Sequence, residues 1–582
     1  MSVTIELRDA FKKVTDDQDK IMTPRETVRR FRERTAHLDL DILESTVRID
    51  NGRLDIPVYF SVCGKDARAM TGTNKQMGKG ATPEQSEASA VMELAERFSF
   101  FAFRNNPSHF ITDTYRNVRD KAMAFDLIAR SVHDDNRDEL EITREFFADL
   151  PLKWTWAYNL TRKKAALIPF DWFFMINEFN GPSAGNCAEE AICQGISEIV
   201  ERHVSSLVSM EKRRVPRIDP RTSKDPIVQD MLDKYQKAGI ELVVSDFSLD
   251  TGIPTVAVLA WDPSTFPDKS EIVWTAGTAP NPEKALSRAL TEVAQLAGDF
   301  NSTSNYVASG LPKFRSLSDA DDIIEAPSML TMADLPDLSD DNIRIEVERC
   351  VSVLEKQGME VFLVDTMHPD LKVPAFYTVI PGAHFRERAT GTNVGMFSAK
   401  FISENLEPHE ALGRLKDMDR KLPGKYYLKF FLGLTYLALE RHPQALTCFE
   451  QALSLSPQPQ DVASICSYTG VCLKDMGDYE QALTILERGA KADDEREDIF
   501  NLMGFCHFML KNHETAIRCF KRVLELNPGS GIDYANIASN YRDMGDTDAA
   551  ITYYKLALEL DDSLDFARTN LERLTQKKKN AV

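Results

Sequence analysis

The sequence predicts an α+β domain followed by an all-α solenoid, on three observations. The chain has 582 residues, 43% of them apolar and 27% charged, the balance of a folded protein of about four domain equivalents. A unit made of a glycine-containing loop, a polar first turn and a helix occurs three times within residues 1–390. A helical pair occurs four times between residues 426 and 563. The expected organisation is a first domain over 1–390, a connector over 391–425 with a helix near SENLEPHEALGRLKDM, and a helical-repeat domain with a capping helix over 426–582. In the first domain, sheets are expected to pack on the three motif helices.

The first copy of the early unit is GATPEQSEASAVMELAER, from Gly80 to Arg97. A shift of 105 residues gives GNCAEEAICQGISEIVER, which sets Gly80 on Gly185, Ser89 on Gln194, Glu93 on Glu198, Glu96 on Glu201 and Arg97 on Arg202. A further 94 residues give Arg288, Glu292 and Gln295, with Gly277 offset by two. Each helix thus carries a polar residue at i, a glutamate at i+4 and a polar residue at i+7, all on one face. The other faces are Ala, Val, Met, Leu, Ile and Phe, so the helices are expected to be buried. A buried carboxylate costs several kcal/mol unless it is paired or metal-bound. Glu93, Glu96, Glu198, Glu201 and Glu292 set against Arg97, Arg202 and Arg288 leave room for a hard divalent cation such as Mg²⁺. Taken singly, Glu93–Arg97 and Glu198–Arg202 read as ordinary i,i+4 ion pairs. Three copies in register favour a shared site.

The segment TGTNKQMGKG, from Thr71 to Gly80, is expected to be a glycine-rich loop carrying Lys75 and Lys79. It is not a Walker A loop, because Gly80 follows Lys79 where Ser or Thr is needed and Thr73 replaces the first glycine.

In the late repeats, Gly433, Tyr436, Ala445, Phe449, Ala452 and Pro457 set a spacing. It recurs from Gly470, Gly504 and Ala538, at intervals of 37, 34 and 34 residues. Small residues stand where two helices must approach, and large ones fill the gap between them. The pattern resembles the tetratricopeptide repeat, and DFARTNLERLTQKKKN reads as its capping helix. Two uses are expected with equal weight: the repeats present a concave face to a peptide or partner, or they build a homodimer interface or brace the first domain.

A net charge of −20 argues against broad binding to nucleic acid or to an anionic membrane. No apolar run approaches a membrane span, and the N-terminal segment is charged throughout, unlike a secretory signal. Nine scattered cysteines without a C-x-x-C pair fit reduced thiols in a cytoplasmic protein, and the ten histidines have no zinc spacing.

Together the motifs resemble the YcaO family. Its S-x-x-x-E-x-x-E-R, Q-x-x-x-E and R-x-x-x-E stand here as Ser89-AVM-Glu93-LA-Glu96-Arg97, Gln194-GIS-Glu198 and Arg288-ALT-Glu292. Gly78-Lys79-Gly80 precedes them, NGPSAGN from Asn180 to Asn186 is similar to the family's N-G-x-A-x-G-N, and VFLVDTMHPDLKVPAFYTVIPGAHF is similar to its closing strands. The resemblance covers about residues 15–390 and implies a YcaO-type fold with a non-P-loop ATP site. By that resemblance Glu93, Glu96, Glu198 and Glu292 hold Mg²⁺, and Ser89, Gln194, Arg288, Lys20 and Thr27 contact the nucleotide. Arg97, Glu190, Glu201 and Arg202 then orient the ligands. It implies phosphorylation of a peptide or protein backbone amide oxygen. A Cys, Ser or Thr side chain then gives an azoline, and sulfide gives a thioamide. The resemblance names no catalytic side chain beyond these. Azoline-forming members end in a P-x-P-x-P tail, whereas this chain ends TQKKKNAV, so the likeness is closer to longer members with helical repeats. Those are linked to methylthiolation of a ribosomal protein. A sulfur-delivery protein or a radical methylthiotransferase is the expected partner. An ATP-binding scaffold recruiting partners through its repeats is the reading of another class. On the site reading, Glu93, Glu198 and Glu292 should meet near Arg288.

Overall fold

The computed structural model describes residues 3–13, 19–134, 136–302, 310–385 and 392–580. The first position of the expected connector, 391, lies outside them. The chain divides into two compact units, Met1–Asp135 with Ala148–Asn393, and Asn136–Phe147 with Val394–Val582.

Among the described residues the first unit holds three sheets. The first is antiparallel, in the order Leu43–Arg48, Val58–Cys63, Lys75–Lys79. The second runs Val273–Thr278, Thr255–Trp261, Glu241–Asp246, Arg217–Asp219, Met329–Thr331, and only its last pairing is parallel. The third runs Ile111–Asp113, Leu152–Asn159, Phe362–Asp365, Ala375–Val379, Pro182–Ala184, with Lys164–Pro169 also paired to Leu152–Asn159. Each sheet carries one motif helix. Pro83–Asn105 packs on the first, Pro282–Ala297 on the second and Ala188–Glu211 on the third. The strands under the third motif helix are apolar and rich in β-branched residues. Thr255–Trp261 is buried along nearly its whole length and Val273–Thr278 along all of it, as strands covered on both faces must be. Leu286, Leu290 and Val293 of the third helix are fully buried with Val256 and Val258, each such side chain contributing about 1.5–3 kcal/mol.

The helices begin at recognisable caps. Thr82 accepts a hydrogen bond from the Gln85 N–H with Pro83 at the first turn, and Asn281 accepts from Glu283 and Lys284 with Pro282 there.

The segment around Lys79 is not the loop expected from its glycines. Lys75–Lys79 is a strand, and Gly277 likewise lies within a strand. A Cβ at Gly78 would overlap the backbone N of Ala90 and the carbonyl of Ser86. A Cβ at Gly277 would overlap Ala285 O and Ala289 N. Gly78 and Gly277 are 199 residues apart, as are Ala90 and Ala289, and Glu93 and Glu292. The true counterpart of Gly277 is therefore Gly78 rather than Gly80, which removes the offset of two. In the middle copy the roles are exchanged. Ser183 stands on the strand and Gly195 on the helix, where a Cβ would overlap Ser183 Oγ and Thr378 Oγ1. Side-chain hydroxyls seal two of the contacts: Ser61 Oγ donates to Ala90 O at 2.8 Å, and Thr275 Oγ1 donates to Ala289 O at 2.9 Å.

The second unit is all-helical. Helices Val394–Asn405 and Pro408–Lys421 precede the pairs Tyr426–Ala438/His442–Ser454, Pro459–Asp475/Tyr479–Ala492, Glu497–Met509/His513–Leu526 and Gly531–Met544/Thr547–Leu560, with Asp565–Asn580 last. The spacing residues do what their sizes require. A Cβ at Gly433, Gly470 or Gly504 would strike Phe449, Leu486 or Phe520, and Ala445, Ala482, Ala516 and Ala550 are fully buried. Residues 136–147 belong to this unit although they fall in the first 390; Lys425 Nζ pairs with Glu139 Oε1 at 2.6 Å. No helix among the described residues is long and apolar enough to cross a membrane.

Gly78→Ala is expected to lower stability by roughly 1–3 kcal/mol, the cost of overpacking against a backbone that cannot yield. Gly413→Ala, in an exposed helical position with nothing within 4 Å of the added carbon, should raise it by roughly 0.5–1 kcal/mol. Urea midpoints of the two variants moving in the same direction would contradict this account.

A second expectation concerns acid. His203 is buried, its Nδ1 accepts the His384 N–H at 3.0 Å, and the His133 and His384 rings stack with centroids 3.6 Å apart. Burial, then the neighbouring His384, His133 and Arg213, push the His203 imidazole down to about 3. The native state holds it neutral while the unfolded chain protonates it below ~6.5. Its stability is therefore complete above that value and is lost as pH falls through the window below it. Between pH 6.5 and pH 5 the native protein should lose about 2 kcal/mol more than His203→Gln, which keeps an acceptor for His384 but does not titrate. Equal losses in denaturant titrations would show that His203 is not the group responsible.

Candidate functional site

The polar faces of the three motif helices line one cavity of about 570 Å³ in the first unit, a size that suits a small-molecule ligand. Pro83–Asn105 contributes Ser89, Glu93, Glu96 and Arg97, and Ala188–Glu211 contributes Glu190, Gln194, Glu198, Glu201 and Arg202. Pro282–Ala297 contributes Arg288 and Glu292. Lys20 precedes the helix Pro24–Ala36, which brings Thr27. All thirteen residues singled out in the sequence therefore line the same cavity, with Glu93, Glu198, Glu292 and Arg288 among them.

Their contacts divide the work. Glu190 Oε1 accepts the Ile21 N–H at 2.7 Å, and its Oε2 accepts the Asn186 backbone and side-chain N–H groups at 2.9 and 3.0 Å. Thr27 Oγ1 donates to Asn186 Oδ1 at 3.0 Å. Glu190 thus ties the N-terminal segment, and Lys20 with it, to the start of the second motif helix. Glu201 Oε2 accepts the Thr278 N–H at 3.1 Å, joining that helix to the second sheet. Glu198 Oε2 accepts the Gly181 N–H at 3.0 Å. Arg288 Nη1 donates to Gln194 Oε1 at 2.9 Å.

Charge is interleaved throughout. Arg97 lies 3.5 Å from Glu96 and 3.8 Å from Glu93, and its Nη1 donates to Phe179 O at 3.2 Å. Arg202 lies 3.4 Å from Glu201 and donates from Nε to Asn180 Oδ1 at 3.2 Å. The adjacent glutamate thus takes the Arg202 pairing that helical spacing assigned to Glu198. Lys79 Nζ pairs with Glu292 Oε2. Burial raises Glu93, Glu96 and Glu201 above the usual carboxylate range, against the pull of Arg97 and Arg202. Lys20 is raised although burial opposes its charge, because Asp19 and Glu190 lie beside it.

Five glutamates supplied by three helices are hard oxygen donors, and that donor set fits Mg²⁺. As they stand, no three His, Cys, Asp or Glu side chains among the described residues are grouped closely enough to hold one ion. The ion pairs made by Lys79, Arg97 and Arg202 run between the carboxylates.

Sequence reasoning gave no role to several lining residues. Asn186, Lys79, Asp19, Gln85 and Lys284 also face the cavity. Asn186 ends the NGPSAGN segment and Lys79 sits in Gly78-Lys79-Gly80, so both lie within sequence motifs. Asp19 and Lys284 had no periodic signal. Lys284 is placed by an ion pair to Asp225 at 3.2 Å, 59 residues away.

Comparison with known proteins gives the family. A model of the YcaO cyclodehydratases, described as ATP- and Mg²⁺-binding, matches residues 77–384, more than half of the chain. Tetratricopeptide-repeat models match 426–459 and 495–563. A protein of undescribed function from Methanothermobacter thermautotrophicus is 28% identical over 389 residues, 62% of this chain and 93% of its own. The Escherichia coli ribosomal protein S12 methylthiotransferase accessory factor YcaO is 26% identical over 298 residues, 47% of this chain and 48% of its own. The chain thus spans about half of that factor. A heterocyclase solved in complex with substrate and cofactor superposes with a TM-score of 0.55 at 23% identity, over 66% of this chain and 55% of that one, a likeness of fold. The chain belongs to the YcaO family, whose members bind ATP and Mg²⁺, and carries tetratricopeptide repeats in its C-terminal region.

Proposed function

We propose that the cavity binds ATP with Mg²⁺ and transfers the γ-phosphoryl group to the oxygen of a peptide or protein backbone amide. The convergence of Glu93, Glu96, Glu198 and Glu292 with Ser89, Gln194 and Arg288 in one cavity carries this reading. The four glutamates would hold the metal, which neutralises triphosphate charge when bound. Ser89, Gln194, Arg288, Lys20 and Thr27 would position the nucleotide. Arg97, Glu190, Glu201 and Arg202 would keep these groups in place through the bonds described above. An amide oxygen is a poor leaving group, and phosphorylation converts it into phosphate. The amide carbon then accepts a nucleophile, and phosphate departs with the electron pair of the carbon–oxygen bond. With sulfide the product is a thioamide. The work is positioning and charge neutralisation.

A second reading has its own support. The Escherichia coli relative is named as an accessory factor of a methylthiotransferase, and tetratricopeptide repeats suit capture of a peptide or partner protein. In that role the chain would serve a methylthiotransferase or a sulfur-delivery protein while using the same cavity. A scaffold that binds ATP without turning it over is the outcome that activity assays must exclude.

Glu198→Gln is expected to abolish ATP turnover and leave the fold intact. The amide keeps an oxygen for the Gly181 N–H but lacks the charge a hard cation requires. Turnover at the native rate in this variant would remove Glu198 from the metal site, and unfolding would make it a structural residue.

Ligand linkage gives an independent check. At a hundredfold excess of Mg-ATP over Kd the native protein should gain about 2.7 kcal/mol, and Glu198→Gln almost nothing. Melting curves with and without Mg-ATP measure this directly. A native protein whose melting temperature ignores Mg-ATP would sink the ATP-site reading.

A further inference from the structure

We propose that Lys79 is a built-in counter-cation of the metal site, which holds Glu292 until nucleotide arrives and so makes metal loading depend on phosphate. The inference rests on the proposed role of Glu292 as a metal ligand.

Lys79 is the last residue of the edge strand Lys75–Lys79 and is fixed by its backbone. It pairs with Val58 across the sheet, and its N–H reaches Ser89 Oγ at 3.4 Å. Its side chain crosses from the first sheet to the third motif helix, 213 residues away in sequence, and pairs there with Glu292. Only 8% of the Glu292 side chain is exposed and 22% of that of Lys79. The same ammonium also acts on Glu93 and Glu201. One lysine therefore addresses carboxylates from all three motif helices.

The arginines on the first two motif helices are anchored differently. Arg97 and Arg202 are also hydrogen-bonded to Phe179 O and Asn180 Oδ1, so their guanidinium groups are held from two sides. An ammonium on a four-carbon stem is a mobile point charge. Lys79 holds Glu292 Oε2, so a divalent cation that takes this oxygen must move the lysine. Moving it off Glu292 leaves a charge that is mostly out of water without its direct partner, which is costly unless another anion takes that place. A triphosphate supplies that anion. Metal and nucleotide are then coupled beyond their own chelation, and by reciprocity each raises the affinity for the other. The arrangement also keeps the glutamates paired before the substrate arrives.

The test compares binding of Mn²⁺, as a paramagnetic stand-in for Mg²⁺, to native protein, Lys79→Gln and Lys79→Arg. Without nucleotide, Lys79→Gln should bind Mn²⁺ at least tenfold more tightly than native, and Lys79→Arg should stay close to native. With a non-hydrolysable ATP analogue the advantage of Lys79→Gln should vanish or reverse, because its phosphate partner is gone. A gain of affinity is not what structural damage produces. Equal nucleotide-free affinities for native and Lys79→Gln overturn the proposal while leaving the ATP site standing, provided native protein takes up Mn²⁺ with the analogue. Native protein that takes up no Mn²⁺ even then overturns both. If Lys79→Gln is unfolded without metal, refolding on addition of Mn²⁺ alone supports the proposal, and failure to refold at saturating Mn²⁺ overturns it.

Discussion

The first unit depends on how closely a strand and a helix can approach at three equivalent crossings. In two of them the strand residue is glycine and the helix residue alanine, Gly78 against Ala90 and Gly277 against Ala289. In the third the pair is inverted, Ser183 against Gly195. What is kept is the combined size of the pair, because backbone is laid almost on backbone and there is room for one small side chain. The crossing sets the rotation of each helix about its axis. Three residues after Ala90, Gly195 and Ala289 come Glu93, Glu198 and Glu292, so the same contact that packs the helix also aims its carboxylate at the cavity.

That aim has an electrostatic price. A helix that is apolar on its remaining faces must bury them, and its glutamates then enter an environment that opposes their charge. The fold answers with cations from several places. Arg97 and Arg202 lie on the motif helices, Lys79 on a strand, Lys20 ahead of the first helix, and Arg288 beside Gln194. Backbone N–H groups do part of the same work for Glu190, Glu198 and Glu201. The result is a cavity whose charge is nearly balanced within itself.

How much of this was legible in the sequence follows from the range of each interaction. The motif helices and the four helical pairs were legible because they repeat, and a repeat multiplies a weak local signal. The site residues on those helices were legible for the same reason, since i, i+4 and i+7 spacing in three registers is hard to meet by accident. The strand character of Lys75–Lys79 was hidden. Three glycines and two lysines from Thr71 to Gly80 look like a loop, and only the close approach of Ala90 explains why glycine stands inside a strand there. The pairing of Lys79 with Glu292 spans 213 residues and leaves no periodic trace. The grouping of residues 136–147 with the C-terminal helices was equally invisible, because an amphipathic helix does not declare which unit covers its apolar face.

The three copies differ most where their common geometry would make them redundant. Ser89, Gln194 and Arg288 occupy the same position, four residues before the shared glutamate, yet they are a hydroxyl, an amide and a guanidinium. Their surroundings differ accordingly. Ser89 Oγ receives the Lys79 N–H, whereas Arg288 and Gln194 bond to each other. Under the proposed function, a metal would ask the same thing of each helix, a hard oxygen, which accounts for the repeated glutamate. A nucleotide is unsymmetrical along its length, so one position repeated three times would have to offer three chemistries to follow it. Under the proposed function, the pattern of what the copies share and where they part is what a threefold scaffold needs in order to hold an unsymmetrical ligand on a common set of charges.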